Sequence, residues 1–300
     1  MSELSQTKTS QPTPLLTEQW HTGASNGLRT VFLIGPPRSG TTLLSFLLAG
    51  GPRVLSLSEP FRLHEVFPRW GLWWTYRGMG KKHRFRAVAP RGRLSDPALL
   101  THLRDAASRN TMSTLVIKET FRSDREWVNL KLLDSFVDSG DPVVAIIRHP
   151  FDCAVSTIKM FRLWRGIVGH IVRPIVPDLP LFQGDADIAA YVAKTWCDFA
   201  EWCAARRVRL IRYEDLVRDP AARMRALCEQ CGIAFDEKMM DAKHPRGPFG
   251  GIGDPGVMTR PARPVSAKSV GRKKLLAPKL REIIANGCRA AGSGLGYDIV

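Results

Sequence analysis

Val31–Ile34 is a short apolar run that empties into Gly35-Pro-Pro-Arg-Ser-Gly40-Thr41-Thr42, and a second apolar run follows to Ala49. A glycine-rich turn between a strand and a helix points backbone N–H groups at a phosphate. Against the pattern G-x-x-x-x-G-K-[ST], both glycines and Thr42 fit, but Thr41 occupies the lysine position. That lysine reaches the outer phosphates of a triphosphate, so its loss argues against a nucleotide kinase or hydrolase. Arg38 supplies one cation from within the turn, and a loop with one cation and two hydroxyls suits a single phosphate group. The bland alternative is a glycine turn that binds nothing.

A second anion grip is suggested farther along. Arg148 ends the apolar run Val143–Ile147, and Ser156 follows eight residues later. A guanidinium takes a phosphate in two-pronged fashion and a hydroxyl adds a bond; a structural Arg148–Asp152 pair is the competing reading. For proton transfer the candidates are Glu59, before Pro60, and His64, the residue type closest to a neutral-pH base. The six cysteines form no framework. Cys228 and Cys231 make a CxxC without a second ligand pair at zinc spacing, so reduced, mostly buried thiols and no metal site are expected.

These groups must be carried by a scaffold. Val31–Ile34, Val54–Leu57, Leu115–Ile117, Val143–Ile147 and Val208–Ile211 read as strands. Thr41–Ala49, Leu99–Ser108, a segment from Pro150, Ala189–Arg206, Asp219–Gly232 and Pro278–Ala291 read as helices. Such alternation predicts an α/β fold, a parallel sheet covered on both faces, with ligands at the carboxyl ends of its strands. At 300 residues, 44% hydrophobic and 24% charged, one soluble domain is expected over 30–300, behind a loose arm at 1–29. The longest apolar run is too short to cross a bilayer, and no signal-peptide pattern opens the chain, so a cytoplasmic protein is expected.

The net charge of +16 is unevenly spread. Arg69–Arg93 and Arg260–Arg281 each hold eight Lys or Arg and no acid, which accounts for the whole excess. Two dense patches suggest an anionic ligand or partner rather than solubility alone. Pro68–Arg93, with Trp70, Trp73, Trp74, Tyr76 and Phe85, and Pro245–Val270, rich in Gly and Pro, are expected as long surface loops. A nucleic-acid or anionic-membrane binding protein would explain the basic, aromatic stretch, but not the ordered phosphate turn.

Four motifs in order, Gly35–Thr42, Arg148–Ser156 (RHPFDCAVS), Arg212–Asp219 (RYEDLVRD) and Ser269–Lys274 (SVGRKK), resemble the sulfotransferases that use 3′-phosphoadenosine-5′-phosphosulfate (PAPS). The pattern looks closer to the carbohydrate, tyrosyl-protein and bacterial branches than to the cytosolic phenol enzymes. The resemblance implies a P-loop-like three-layer α/β/α fold and sulfuryl transfer to an acceptor hydroxyl, of a sugar or small natural product, leaving 3′,5′-ADP without a metal. It implies that Pro37, Arg38, Ser39, Gly40, Thr41 and Thr42 hold the 5′-phosphosulfate. Arg148, Ser156, Tyr213, Gly271, Arg272 and Lys273 would hold the rest of the nucleotide. Glu59 would be the catalytic base, with His64 as competitor, and Lys118 would bond the donor's bridging oxygen unless it is merely a surface lysine. Lys273 stands where the family often has an aromatic residue. The insertion at about 61–95 corresponds to the variable acceptor region, with Phe161–Arg173 as a facing wall, which suggests an acidic or large acceptor. The loop at about 245–275 would cover the nucleotide. Specific nucleic-acid recognition is not implied, and the oligomeric state stays open.

Overall fold

A computed structural model describes residues 27–68, 70–90, 92–122, 130–168, 182–240, 248–251 and 265–300. Six strands, β1 (Arg29–Gly35), β2 (Val54–Ser58), β3 (Thr114–Thr120), β4 (Val143–Ile147), β5 (Arg209–Arg212) and β6 (Phe249–Gly251), form one sheet in the order β5-β4-β1-β3-β2-β6. All five pairings are parallel. A parallel sheet is buried on both faces, so its strands read as unbroken apolar runs rather than alternating ones. β4, VVAII, is buried at every position.

Alternate residues along the strands feed two cores. Phe32, Ile34, Leu57, Ile117, Ala145 and Ile147 pack toward one face, under α4 (Asp96–Arg109), α5 (Leu130–Asp138), α6 (Pro150–Val168), α7 (Asp185–Ala205) and α10 (Pro278–Gly294). Val31, Leu33, Val54, Val116, Val144 and Ile146 pack toward the other, under α1 (Thr41–Leu48), α8 (Tyr213–Arg218) and α9 (Pro220–Cys231). The result is the three-layer α/β/α arrangement. At about 25 cal/mol per Å² of apolar surface, two such cores dominate the folding energy. Local signals punctuate them as expected: the Asp219 side chain caps α9 by accepting from Ala222 N–H, Pro220 starts the helix, and Gly232 (φ 59°) ends it.

Two segments depart from the sequence reading. Pro68–Arg93 is not simply a surface loop: Gly71–His83 is a helix, α3, preceded by the short α2 (Pro60–Val66). Leu72, Tyr76 and Met79, spaced four and three apart, are buried along it. Two glycines and a crowd of cations hid this stripe. In Pro245–Val270, Phe249–Gly251 pairs with β2 as a sixth strand. Its glycines read as a loop, yet Gly250 lets α3 approach: a Cβ there would stand 2.5 Å from Thr75 Cγ2. The rest of that segment from 252 to 264, the arm at 1–26 and the stretch 169–173 lie outside the described residues.

Strand directions decide where chemistry can occur. β1 is central; the chain moves to one side of it for β2 and β3 and to the other for β4 and β5. Gly35, Ser58, Thr120, Ile147 and Arg212 therefore end their strands on one rim, where open α/β sheets bind ligands.

Candidate functional site

The turn after β1 is held by its own backbone and serine. Ser39 N–H and Oγ both bond the Pro36 carbonyl, at 3.2 and 2.8 Å. Arg38 and Gly40 take left-handed conformations, φ 68° and 102°. Gly40 is required twice over, because a Cβ there would also meet Tyr213 Cδ2 at 2.4 Å. Thr41 and Thr42 then open α1, both buried, and Pro37 lies half-buried at the turn.

The second grip converges on the first. Arg148, at the end of β4, donates from Nη1 to the Arg38 carbonyl at 3.4 Å. Arg38 Nε in turn donates to Ser156 Oγ on α6 at 2.9 Å. Arg148 is 5% exposed; its guanidinium carbon lies 4.4 Å from the Tyr213 ring centre. Its Nη2 donates to the Ser269 carbonyl, and Ser269 Oγ meets the Tyr213 hydroxyl at 2.7 Å. Burying a guanidinium is costly unless it is paired. Here Nε of Arg148 and of Arg272 are buried without a protein partner, donors that an incoming anion would satisfy.

Asp152, read from the sequence only as a structural partner for Arg148, makes further contacts. The two are 4.0 Å apart, but both Asp152 oxygens accept backbone N–H groups, Oδ2 from Gly271 (2.9 Å) and Oδ1 from Arg272 (2.7 Å). The aspartate thus latches the C-terminal segment over the end of β4. Burial, then the Arg148 charge, lowers the Arg272 pKa. Lys273 stands apart from this convergence: it is exposed, with Nζ 3.3 Å from the Val300 carbonyl.

Beside the turn, on the β2–β3 side, lies a buried ionic cluster. β3 runs three residues past its expected end, which carries Lys118, Glu119 and Thr120 into the sheet. Lys118 is 2% exposed and therefore not a surface lysine. Its Nζ donates to Glu59 Oε1 at 2.6 Å and to Thr120 Oγ1 at 2.9 Å. Thr120 Oγ1 donates to the same Glu59 oxygen at 2.8 Å, and Arg62 Nη1 stands 3.5 Å from the other. Glu59 sits at φ 55°, left-handed for a bulky residue, a costly state that persists where surroundings impose it. Burial would raise its pKa, but Lys118, Arg62 and Arg122 overturn that and hold it at about 2.

Glu119, which the sequence did not single out, is the counterpart. Its Oε1 accepts the Phe61 N–H at 3.0 Å and so caps α2 from a neighbouring strand. Burial, then the Glu59 charge, pushes its pKa up to about 8. Two adjacent carboxyls are driven apart: one ionised throughout, the other holding its proton at neutral pH. Thr120 pairs in register with Gly35, so this cluster lies one strand from the phosphate turn.

His64 is used differently. It is 2% exposed, and its Nε2 accepts the Leu94 N–H at 2.8 Å, while Nδ1 has no partner. Burial, then Arg93, lowers its pKa. Its acceptor lone pair is committed to the backbone of the segment after α3. In the expected facing wall, Phe161 packs on Phe182 (4.8 Å between ring centres) and Arg162 pairs with Asp185; the side chains of Trp164 and Arg165 lie outside the described ones. All six cysteines are free, and five are buried. No helix among the described residues is long and apolar enough to cross a membrane.

The sulfotransferase family model matches residues 30–135 and 141–237. The chain belongs to that family. This sulfotransferase is a transferase enzyme whose strand-end motifs sit where the family match runs. The sulfotransferase domain of the olefin synthase of Synechococcus PCC 7002 is 18% identical, covering 94% of this chain and 99% of that one, with a TM-score of 0.52. The sulfotransferase domain from the curacin biosynthetic pathway is 17% identical over 90% of this chain and 98% of that one, at 0.54. At such identities these likenesses carry the P-loop-like fold alone. No curated protein matches the chain.

Proposed function

We propose that this sulfotransferase moves the sulfuryl group of PAPS to the hydroxyl of a sugar or small natural product and leaves 3′,5′-ADP. The observation that carries the reading is the contact between the two grips, Arg148 Nη1 to the Arg38 carbonyl at 3.4 Å. It brings the Arg38 turn and Arg148 together at a single rim, which supports a ligand with two anionic groups, such as a nucleotide phosphorylated at its 3′ and 5′ positions. The unpartnered Nε atoms of Arg148 and Arg272 support the same fit. In this reading Pro37–Thr42 receive the 5′-phosphosulfate, and Arg148, Ser156, Tyr213, Gly271 and Arg272 the 3′-phosphate and nucleoside. PAPS supplies an activated sulfuryl group with a bisphosphate leaving group.

The protein's contribution is position and charge. Glu59 is the group we assign to take the acceptor's proton. A carboxylate held at about 2 is ionised at every physiological pH but weakly basic. Its basicity is restrained chiefly by Lys118, whose ammonium also faces the rim. When that ammonium is drawn toward an anion, the largest opposing charge weakens and burial raises the Glu59 pKa against Arg62 and Arg122 alone. Base strength thus rises when the donor site fills, consistent with a carboxylate that must accept a proton only then. His64, with Nε2 occupied by Leu94, is a poorer candidate. The acceptor would enter over α2 and the first turn of α3.

Thermal unfolding with 3′,5′-ADP tests the reading. A ligand at 100 times its Kd adds about 2.7 kcal/mol. We expect that gain in the wild type and in Glu59→Ala, and its loss in Arg148→Ala. Glu59→Ala should lose about 10²–10⁴ in turnover. Absence of stabilisation in the wild type would refute the donor assignment, and near-normal turnover in Glu59→Ala would refute the base.

A further inference from the structure

Part of the basic stretch at Arg69–Arg93 lies away from the rim where the strands end. α3 starts there, with Gly71 packed against the Leu63 backbone, and carries the chain to the opposite edge of the sheet. At that edge Arg86 N–H bonds Asn110 Oδ1, and Asn110 Nδ2 returns to the Arg86 carbonyl, both at 2.7 Å. Asn110 follows α4 just before β3 begins, so these contacts fix Arg86 where strands start rather than where they end.

Between α3, the segment 85–89 and the end of α4 lies an open cleft of about 540 Å³. Trp73, Tyr76 and Phe85 give it an aromatic lining, and Arg77, Arg86 and Arg109 its charge; among the described residues no acid lines it. Val88, 80% exposed, adds apolar surface at the lip. The Arg77 guanidinium lies 4.9 Å from the Trp73 ring centre, a cation–π contact that keeps cation and ring together. Tyr76 is 3% exposed, and its hydroxyl is buried with no partner. A buried polar group left unpaired is costly and marks this lining as more than packing. Across Phe85 a second cavity carries Arg53, Arg84 and Lys238 against one carboxylate, Asp236.

We propose that this cleft is a second ligand site, separate from the transfer rim, for a small apolar anion: a planar hydrocarbon body bearing one carboxylate or phosphate. Aromatic walls take the body, and the three arginines take the charge. The site stands on this geometry alone and does not require the donor assignment.

Calorimetric titration with 2-naphthoate, with and without 3′,5′-ADP, tests it. One naphthoate should bind per chain, with a Kd changed less than about twofold by the nucleotide. Uncharged 2-naphthylmethanol should bind about tenfold more weakly, as should naphthoate to the double variant Arg86→Ala/Arg109→Ala, since two exposed charge contacts are together worth about that factor. Both arginines are exposed, so the variant should keep the wild-type circular dichroism and melting temperature. Equal binding by the variant, or no naphthoate binding below millimolar, would overturn the proposal. Displacement by 3′,5′-ADP would do so too, by assigning the probe to the transfer rim.

Discussion

Replacing Glu119 by Gln isolates the cost of keeping a proton inside the sheet. The carboxyl is 4% exposed, and its pKa is raised from 4.5 to about 8, first by burial and then by Glu59. Below pH 4.5 both folded and unfolded chains hold the proton, and nothing is lost. Between 4.5 and 8 only the folded chain holds it, so stability falls as pH rises; above 8 the loss is complete. Each tenfold change in proton affinity is about 1.4 kcal/mol, so moving from 4.5 to about 8 costs at most about 5 kcal/mol. Glutamine keeps an Oε1 acceptor for the Phe61 N–H and cannot ionise. Urea unfolding at pH 5, 6, 7 and 8 should therefore show the wild type losing ground to Glu119→Gln with every step upward. Turnover at pH 7 should change less than about threefold, because the cap that fixes α2 survives. A stability difference that is flat across this range, or that shrinks as pH rises, would refute the assignment of a buried, protonated Glu119.

Three further outcomes follow from the same geometry. Gly40→Ala places a Cβ within 2.4 Å of the Tyr213 ring at φ 102°; it should cost about 1–3 kcal/mol and abolish 3′,5′-ADP stabilisation, and thermal unfolding with and without ligand reads both. Asp152→Ala removes the acceptor of two backbone N–H groups; limited proteolysis should cut faster near Gly271, and 3′,5′-ADP affinity should fall about tenfold, whereas unchanged cleavage would exclude a latch. Lys118→Met removes a main counter-charge of Glu59, so its pKa rises from about 2. The acid limb of the pH–rate profile should shift to higher pH, and a limb that stays put would argue against Glu59 as the titrating base.

What could be read from the chain before folding was local. Gly35–Thr42 announced itself because left-handed turns need particular residues, and Val143–Ile147 because a doubly buried strand has no polar interruption. Arg148 and Ser156 come near one another, through Arg38, because both flank one strand–helix junction. What stayed hidden depended on partners far away in sequence. Lys118 and Glu119 look like the polar end of a strand, and only Glu59 and Phe61, about sixty residues earlier, make one a counter-ion and the other a helix cap. Asp152 was read with Arg148, four residues away, when its oxygens face Gly271 and Arg272. α3 was missed because its apolar stripe, Leu72, Tyr76 and Met79, is diluted by Gly78, Gly80 and five cations between Arg69 and Arg84. β6 is a three-residue strand with two glycines, unfavourable by any propensity and formed only because β2 offers an edge.

The latch between Asp152 and the Gly271–Arg272 peptides ties the surroundings of Arg148 to the far end of the polypeptide. Among the described residues the last strand closes at Gly251, yet Ser269, Gly271 and Arg272 are still needed to finish the enclosure around Arg148. A polypeptide shortened just before Ser269 would lose α10 and its buried Ile284 and Cys288 from the core along with that enclosure, so only a change confined to the latch, such as Asp152→Ala, separates closure around Arg148 from folding of the sheet.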